Sequence, residues 1–333
     1  MTEQSVVARR DGRIGAILMN RPHALNALDL PVIRAITAAL AEWRDDPHVH
    51  AVVIEGAGDR AFCAGGDIRA IRSHALAGDT EAVEAFFAEE YELNAMIAEY
   101  PQPYVALIDG ICMGGGIGVS VHGTYRVATE GALFAMPEAA IGMFPDIGAT
   151  YVLPRLPDSL GVYLGLTGAR LAGADAVHAG LATHFVPRES LASLRADLAR
   201  DGLAAIGRYT SSLPAFSLET NRYAIEQSFG APSVARILAA LEDQGEWGRE
   251  TLKVLRAVSP AAALWSFGII RAGADRTLRQ CLAAELRLTR QVTRHSDFAE
   301  GVRAMVVDKD RHPKWSDARI EDVDPAAIAA MLA

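Results

Sequence analysis

Apolar positions in the first part of the chain come in two spacings. Gly12–Asn20 (GRIGAILMN), Ala51–Glu55 (AVVIE) and Tyr104–Ile108 (YVALI) are short apolar runs bounded by glycine, proline or polar residues, the pattern of buried strands. Tyr125–Ala128 and Leu133–Ala135 are shorter strand candidates. Between these runs, apolar residues recur at helical spacing. Val32, Ile33, Ile36, Leu40 and Trp43 follow Asp29, an N-cap residue, and Val83, Phe86, Phe87, Tyr91 and Leu93–Ile97 line Thr80–Glu99. Strands alternating with helices predict an α/β core over residues 1–188.

The pattern changes at about Glu189. Leu191–Ile206, Ser233–Leu241, Trp247–Val258, Pro260–Arg271 and Thr277–Val292 all carry helical periodicity, and strand signals cease. Ser259 before Pro260 is a start signal: a side-chain oxygen to cap the helix, then a residue with no N–H to satisfy. Residues 189–333 therefore read as a helical region. No linker rich in Pro, Gly and Ser precedes it, so it is expected to pack on the core.

Composition narrows the classes. Half of the 333 residues are hydrophobic, which excludes disorder, and three widely separated cysteines exclude a disulfide scaffold. With 32 Lys and Arg against 41 Asp and Glu, the net charge is −9. An acidic chain without a basic block suits neither nucleic acid nor an anionic membrane surface. The opening MTEQSVVARR lacks the apolar stretch of a secretion signal. The longest nearly apolar run, Gly110–Val121, has 12 residues, well short of the roughly 20 that span a bilayer. These features predict a cytoplasmic protein.

Three segments combine residues that could do chemistry. Ala61-Phe62-Cys63-Ala64-Gly65-Gly66-Asp67 follows a strand and precedes a helical run. Its glycines allow either an ordinary strand-to-helix turn capped by Asp67 or a backbone open to a ligand. Gly114-Gly115-Gly116 stands in an apolar stretch beside another strand, where either a second backbone or a ligand must approach closely. In Pro137-Glu138 through Pro145-Asp146, two carboxyl groups occupy an otherwise apolar stretch. They are either local cap residues or buried acids with raised proton affinity, suited to moving a proton.

Other chemistries find less support. No register places Gly-x-Gly-x-x-Gly, and no Lys-Ser/Thr follows the glycines as a phosphate loop needs. Gly118-Val119-Ser120-Val121-His122 has His where a hydrolase nucleophile elbow ends in Gly. The histidines show no metal-ligand spacing; His122 and His184 lie in apolar stretches that suit core residues. Cys63 or Cys112 as a nucleophile lacks a base tied to it by local pattern.

Taken in order, these segments resemble the signature of the crotonase, or enoyl-CoA hydratase/isomerase, superfamily, and Asn20–Leu28 resembles that family's first CoA-binding loop. Pro103–Pro154, Leu166–Val186 and Asp297–Trp315 (DFAEGVRAMVVDKDRHPKW) resemble one branch, the 3-hydroxyisobutyryl-CoA hydrolases, and the likeness covers essentially the whole chain. The resemblance implies an α/β superhelix of ββα turns followed by a helical C-terminal region. It implies an oxyanion hole made by the backbone N–H groups of Gly66 and Gly115. Glu138 matches the family's catalytic glutamate, Asp146 its partner aspartate, and Glu90 a substrate-contacting position. No metal or redox cofactor is implied, since CoA arrives with the substrate. Homo-oligomers are common in the superfamily.

Two departures bear on activity. Hydratases carry a second catalytic glutamate two residues after the third glycine, where this chain has Gly118. Water addition to a double bond is served by two acid/base groups, so thioester hydrolysis is expected over the alternative, enoyl-CoA hydration or isomerisation. A non-catalytic acyl-CoA binder is a third class. The second departure is His23, where relatives often have Lys near the CoA loop.

Overall fold

The computed structural model describes residues 4–333. Ten strands form two sheets among the described residues: β1 (Val6–Asp11), β2 (Ile14–Met19), β3 (Ala51–Gly56), β4 (Ala61–Cys63), β5 (Tyr104–Ile108), β6 (Ile111–Met113), β7 (Tyr125–Ala128), β8 (Leu133–Ala135), β9 (Leu171–Ala172) and β10 (His184–Phe185). The larger sheet has the order β1-β2-β3-β5-β7-β10 and the smaller β4-β6-β8-β9. Strands β3/β4, β5/β6 and β7/β8 are successive pairs that send one member to each sheet. Both sheets therefore advance together, which is the ββα superhelix expected from the sequence. β1 pairs antiparallel with β2, and every other pair in the larger sheet is parallel.

The chain divides into two compact units interleaved along the sequence, so neither coincides with 1–188 or 189–333. The first comprises the described residues up to Asp67, Glu89–Phe134 and Leu171–Ser217. One face of its larger sheet, with Ile14, Val53, Val105, Leu107 and Val127, packs against Leu194, Leu198, Ala205 and Ile206. The helix Leu30–Trp43 begins as its periodicity predicts, with the Asp29 carboxylate accepting from Val32 N at 2.9 Å. β1 escaped the sequence reading because Ala8, Arg9 and Arg10 are exposed on this edge strand and hide the alternation. The predicted helix Leu191–Ile206 is two helices, Leu191–Asp201 and Ala204–Tyr209, divided at Gly202, whose φ is +77°.

The second unit comprises Ile68–Ala88, Ala135–Arg170 and Leu218–Ala333, and apart from Ala135 of β8 its regular elements are helices. Its centre is the helix Pro260–Gly273, capped by the Ser259 hydroxyl on Ala262 N and burying Trp265 completely. Buried Asp297 accepts from the Ser259 hydroxyl (2.6 Å) and from Ser316 N (2.8 Å), which ties the C-terminal segment down. The helix Leu278–Val292 starts with a capping box between Thr277 and Gln280.

One glycine of the first unit carries a stability prediction. A Cβ on Gly116 would overlap the carbonyl oxygen of Cys63, a backbone atom that cannot move aside. Gly116→Ala is expected to destabilise the protein by about 3 kcal/mol. Chemical denaturation checks this, and an unchanged midpoint would contradict the packing described.

Candidate active site

In the first unit, two glycine turns present their backbone toward one small volume. Leu28 N donates to Gly65 O (2.9 Å) and Asp67 N to Leu28 O (2.7 Å), so the peptide of Gly66 is held between two engaged neighbours. Gly65 has φ +112°, a conformation that favours glycine. Gly115 opens the helix Gly115–Val121, and a first-turn N–H has no acceptor within its own helix. A Cβ built on Gly115 would lie 2.5 Å from Glu90 Oε1, 3.0 Å from Leu28 Cδ1 and 3.3 Å from Gly66 N. Gly66, Gly115 and Glu90 are thus brought together, with Glu90 reaching in from the helix Thr80–Ala98 at 2% exposure. At the triple glycine the close-backbone reading holds for one residue. Gly116 packs on backbone, while Gly115 borders Glu90 and the Gly66 amide.

The loop before this turn is held by Asn26, whose side-chain amide donates to Ala57 O (2.9 Å) and Ala61 O (2.8 Å) while its oxygen accepts from Arg21 N. Arg21 pairs with Asp29 at 2.9 Å, and His23 is exposed. Burial disfavours the thiolate form of two cysteines. Cys63 and Cys112 are buried, and burial pushes the Cys63 thiol up to about 12 and the Cys112 thiol upward as well.

In the second unit, Glu138 starts a single 3-10 turn, Glu138–Ile141, after Pro137. The turn is anchored at several points: Met143 N donates to Glu138 O (3.0 Å), Ser259 N to Ala139 O (3.2 Å), and a Cβ on Gly142 (φ +69°) would overlap Asp297 O. Glu138 is 7% exposed, and its buried Oε2 has no hydrogen-bond partner among the described residues. Burial, and then the neighbouring Asp146 carboxylate, raise its proton affinity well above the ordinary carboxylate range. Asp146 is 6% exposed and stands among Met143, Phe144 and Ile147, all buried.

A further buried acid in this unit, Glu285, was not singled out by the sequence reading. Glu285, fully buried on Leu278–Val292, accepts from Gly148 N at 2.7 Å and Thr150 N at 3.1 Å, and from the Thr150 hydroxyl. Burial pushes its carboxyl up to about 7, and the Asp146 charge adds to the rise while the three donors oppose it. A signal for it exists in the sequence. Glu285 occupies the buried stripe of its helix, with Cys281, Leu288 and Val292, where a charge is out of place.

A sequence profile described as enoyl-CoA hydratase/isomerase matches residues 14–332, and the chain belongs to that family, the crotonase class. Within it, curated relatives named "3-hydroxyisobutyryl-CoA hydrolase, mitochondrial" include one from Xenopus tropicalis, 45% identical over 94% of this chain and 84% of its own, and one from Homo sapiens, 44% identical over 96% and 86%. Among solved structures, a protein titled carnitinyl-CoA dehydratase from Mycobacterium thermoresistibile superposes with a TM-score of 0.95 at 37% identity, covering 99% of this chain and 97% of its own. One titled enoyl-CoA hydratase from Rhodobacter sphaeroides 2.4.1 gives 0.93 at 40% identity, with the same coverage.

Proposed function

We propose that this enzyme hydrolyses an acyl-CoA thioester, 3-hydroxyisobutyryl-CoA, to 3-hydroxyisobutyrate and CoA in valine breakdown. The observation that carries the reading is the buried Glu138, whose Oε2 has no hydrogen-bond partner among the described residues, together with Gly118, a buried helical glycine where a hydratase has its second acid. The names of the relatives at 44–45% identity support it.

In the proposed mechanism, the amides of Gly66 and Gly115 hold the thioester oxygen, where negative charge develops as the carbonyl carbon is attacked. Each donor is worth about 3 kcal/mol. Glu138 acts by one of two routes. As general base, it takes a proton from water while the hydroxyl adds to the acyl carbon. As nucleophile, it attacks the acyl carbon itself, and water then hydrolyses the mixed anhydride. In both routes the C–S bond breaks, and the departing CoA sulfur receives the proton that water gives up. Asp146 orients the 3-hydroxyl or the water, and Glu90 contacts the substrate. The reaction needs no metal or redox cofactor. We place the enzyme in the reducing cytoplasm, which suits its three buried free thiols, whereas its named relatives are mitochondrial. Among the described residues no single helix is long and apolar enough to cross a membrane. Assembly as a homo-oligomer is proposed on family grounds.

The test is thiol release from 3-hydroxyisobutyryl-CoA, with crotonyl-CoA hydration followed in parallel. The titles of the structural neighbours favour the second reading, hydration. Loss of the crotonyl double bond without thiol release would establish that reading and overturn ours.

A pH dependence follows. Glu138 works as the carboxylate, and its proton affinity is raised, so kcat/KM falls as pH drops through a value well above 4.5. An acid limb at the ordinary glutamate value, read from a pH–rate profile, would contradict the buried setting of Glu138.

A further inference from the structure

We infer that Glu285 is a positioning residue for Asp146, its carboxylate holding the backbone turn on which Asp146 stands. The inference rests on the hydrolase reading and adds a residue to it. Pro145 precedes Asp146, and Ile147 and Gly148 follow with φ +56° and +78°, two consecutive left-handed residues. For Ile147, a β-branched side chain, this conformation is rare and persists only where the surroundings impose it. The turn lacks a local cap: Gly148 has no side chain, and the following helix, Ala149–Val152, is a single turn. Ala149 N donates back to Asp146 O at 2.8 Å, and the amides on either side of it, Gly148 N and Thr150 N, take no part in that closure. Both are taken up by Glu285, Gly148 N by Oε2 (2.7 Å) and Thr150 N by Oε1 (3.1 Å), with the Thr150 hydroxyl as a third donor.

A carboxylate gripping two alternate amides fixes the turn in rotation as well as position, as a single acceptor would not. Glu285 itself is set by the middle of a 15-residue helix, and Gly273 lets the helix Pro260–Gly273 close directly on the Thr150 carbonyl. Asp146 thus inherits its placement from a residue 139 positions downstream. A fully buried charge is costly unless it has work to do, and a leucine would fill the stripe at lower cost.

The experiment is a double-mutant cycle on the full-length enzyme, read as the single-turnover rate of thiol release from 3-hydroxyisobutyryl-CoA with enzyme in excess. Glu285→Gln replaces an acceptor with a donor facing the Gly148 or Thr150 amide, and is expected to slow turnover by about 10- to 100-fold. Combined with Asp146→Asn, it is expected to add less than about threefold to the loss that Asp146→Asn causes alone. Full additivity, or a wild-type rate in Glu285→Gln, overturns the inference while leaving the hydrolase reading intact. An Asp146→Asn enzyme at wild-type rate removes the role of Asp146 and with it the inference, and an inactive wild type sinks the hydrolase reading itself. Thr150→Val covers the case in which Glu285→Gln does not fold. It removes one donor, is expected to slow turnover about 3- to 10-fold, and should be restored by Thr150→Ser. A purely structural contact would instead lower the melting temperature and leave the rate per folded enzyme unchanged in Glu285→Gln and Thr150→Val.

Discussion

Glu138→Gln is expected to lower the turnover of 3-hydroxyisobutyryl-CoA by about 10³-fold or more while leaving affinity for the CoA ester within a few-fold. The amide keeps the shape of the side chain and the anchored 3-10 turn, yet it can neither take a proton nor attack a thioester. Steady-state thiol release measures the first quantity and calorimetric titration with a CoA ester the second. A variant retaining a tenth of wild-type turnover would remove Glu138 from the mechanism. The same substitution should stabilise the fold at neutral and alkaline pH. Because the folded carboxyl binds its proton more tightly than the unfolded one, stability present below about pH 4.5 is lost as pH rises through the raised folded value. Gln carries no proton to lose. Melting temperatures of the two proteins should therefore converge at about pH 4, and the variant should be ahead at pH 8. Such a trade of stability for activity is expected where a charge is buried for chemistry.

Gly115→Ala is the second large effect, and it contrasts with its neighbour Gly116. The added methyl would sit 2.5 Å from Glu90 Oε1 and 3.3 Å from Gly66 N, the amide proposed to share the thioester oxygen. The nearest obstacle is the end of a side chain, which can turn away, so the fold is expected to survive. The volume beside the Gly66 amide is what fills. We expect kcat/KM to fall by about 10²- to 10³-fold, the usual consequence of losing one oxyanion donor, with a melting temperature close to wild type. Gly116→Ala, one residue on, meets backbone and is expected to show the reverse balance, a large loss of stability. If Gly115→Ala unfolded the protein as readily as Gly116→Ala, both glycines would be packing residues and the oxyanion assignment would fall.

The long periodic elements were legible because a buried face imposes its spacing directly on the residues. Leu30–Trp43, Thr80–Ala98, Pro260–Gly273 and Leu278–Val292 all appear where apolar spacing and cap residues place them. β4, β6, β9 and β10 are two or three residues long, too short to display any period, and they exist because a neighbouring strand offers them partners. β1 hides its pairing under exposed arginines. The helix that begins at Gly115 could not be read from a triple glycine, whose local preference is against helix, so packing on Cys63 must override it.

Glu90, Gly66, Gly115, Glu138 and Asp146 were singled out through the family resemblance, because the family's motifs are contiguous and ordered along the chain. Their chemical character could not be read in this way, since a proton affinity depends on desolvation and on neighbours that only folding supplies. The sequence by itself determined the family, the alternation of strand and helix, and the presence of Glu138 with glycine rather than glutamate at position 118, because local pattern and residue identity are one-dimensional information. Tertiary structure alone decided that Gly115 borders a carboxylate while Gly116 borders a carbonyl. It alone decided that the turn of Asp146 is gripped by Glu285. Those contacts join residues far apart in the chain, and no spacing along the backbone encodes which distant group will arrive to satisfy a buried amide.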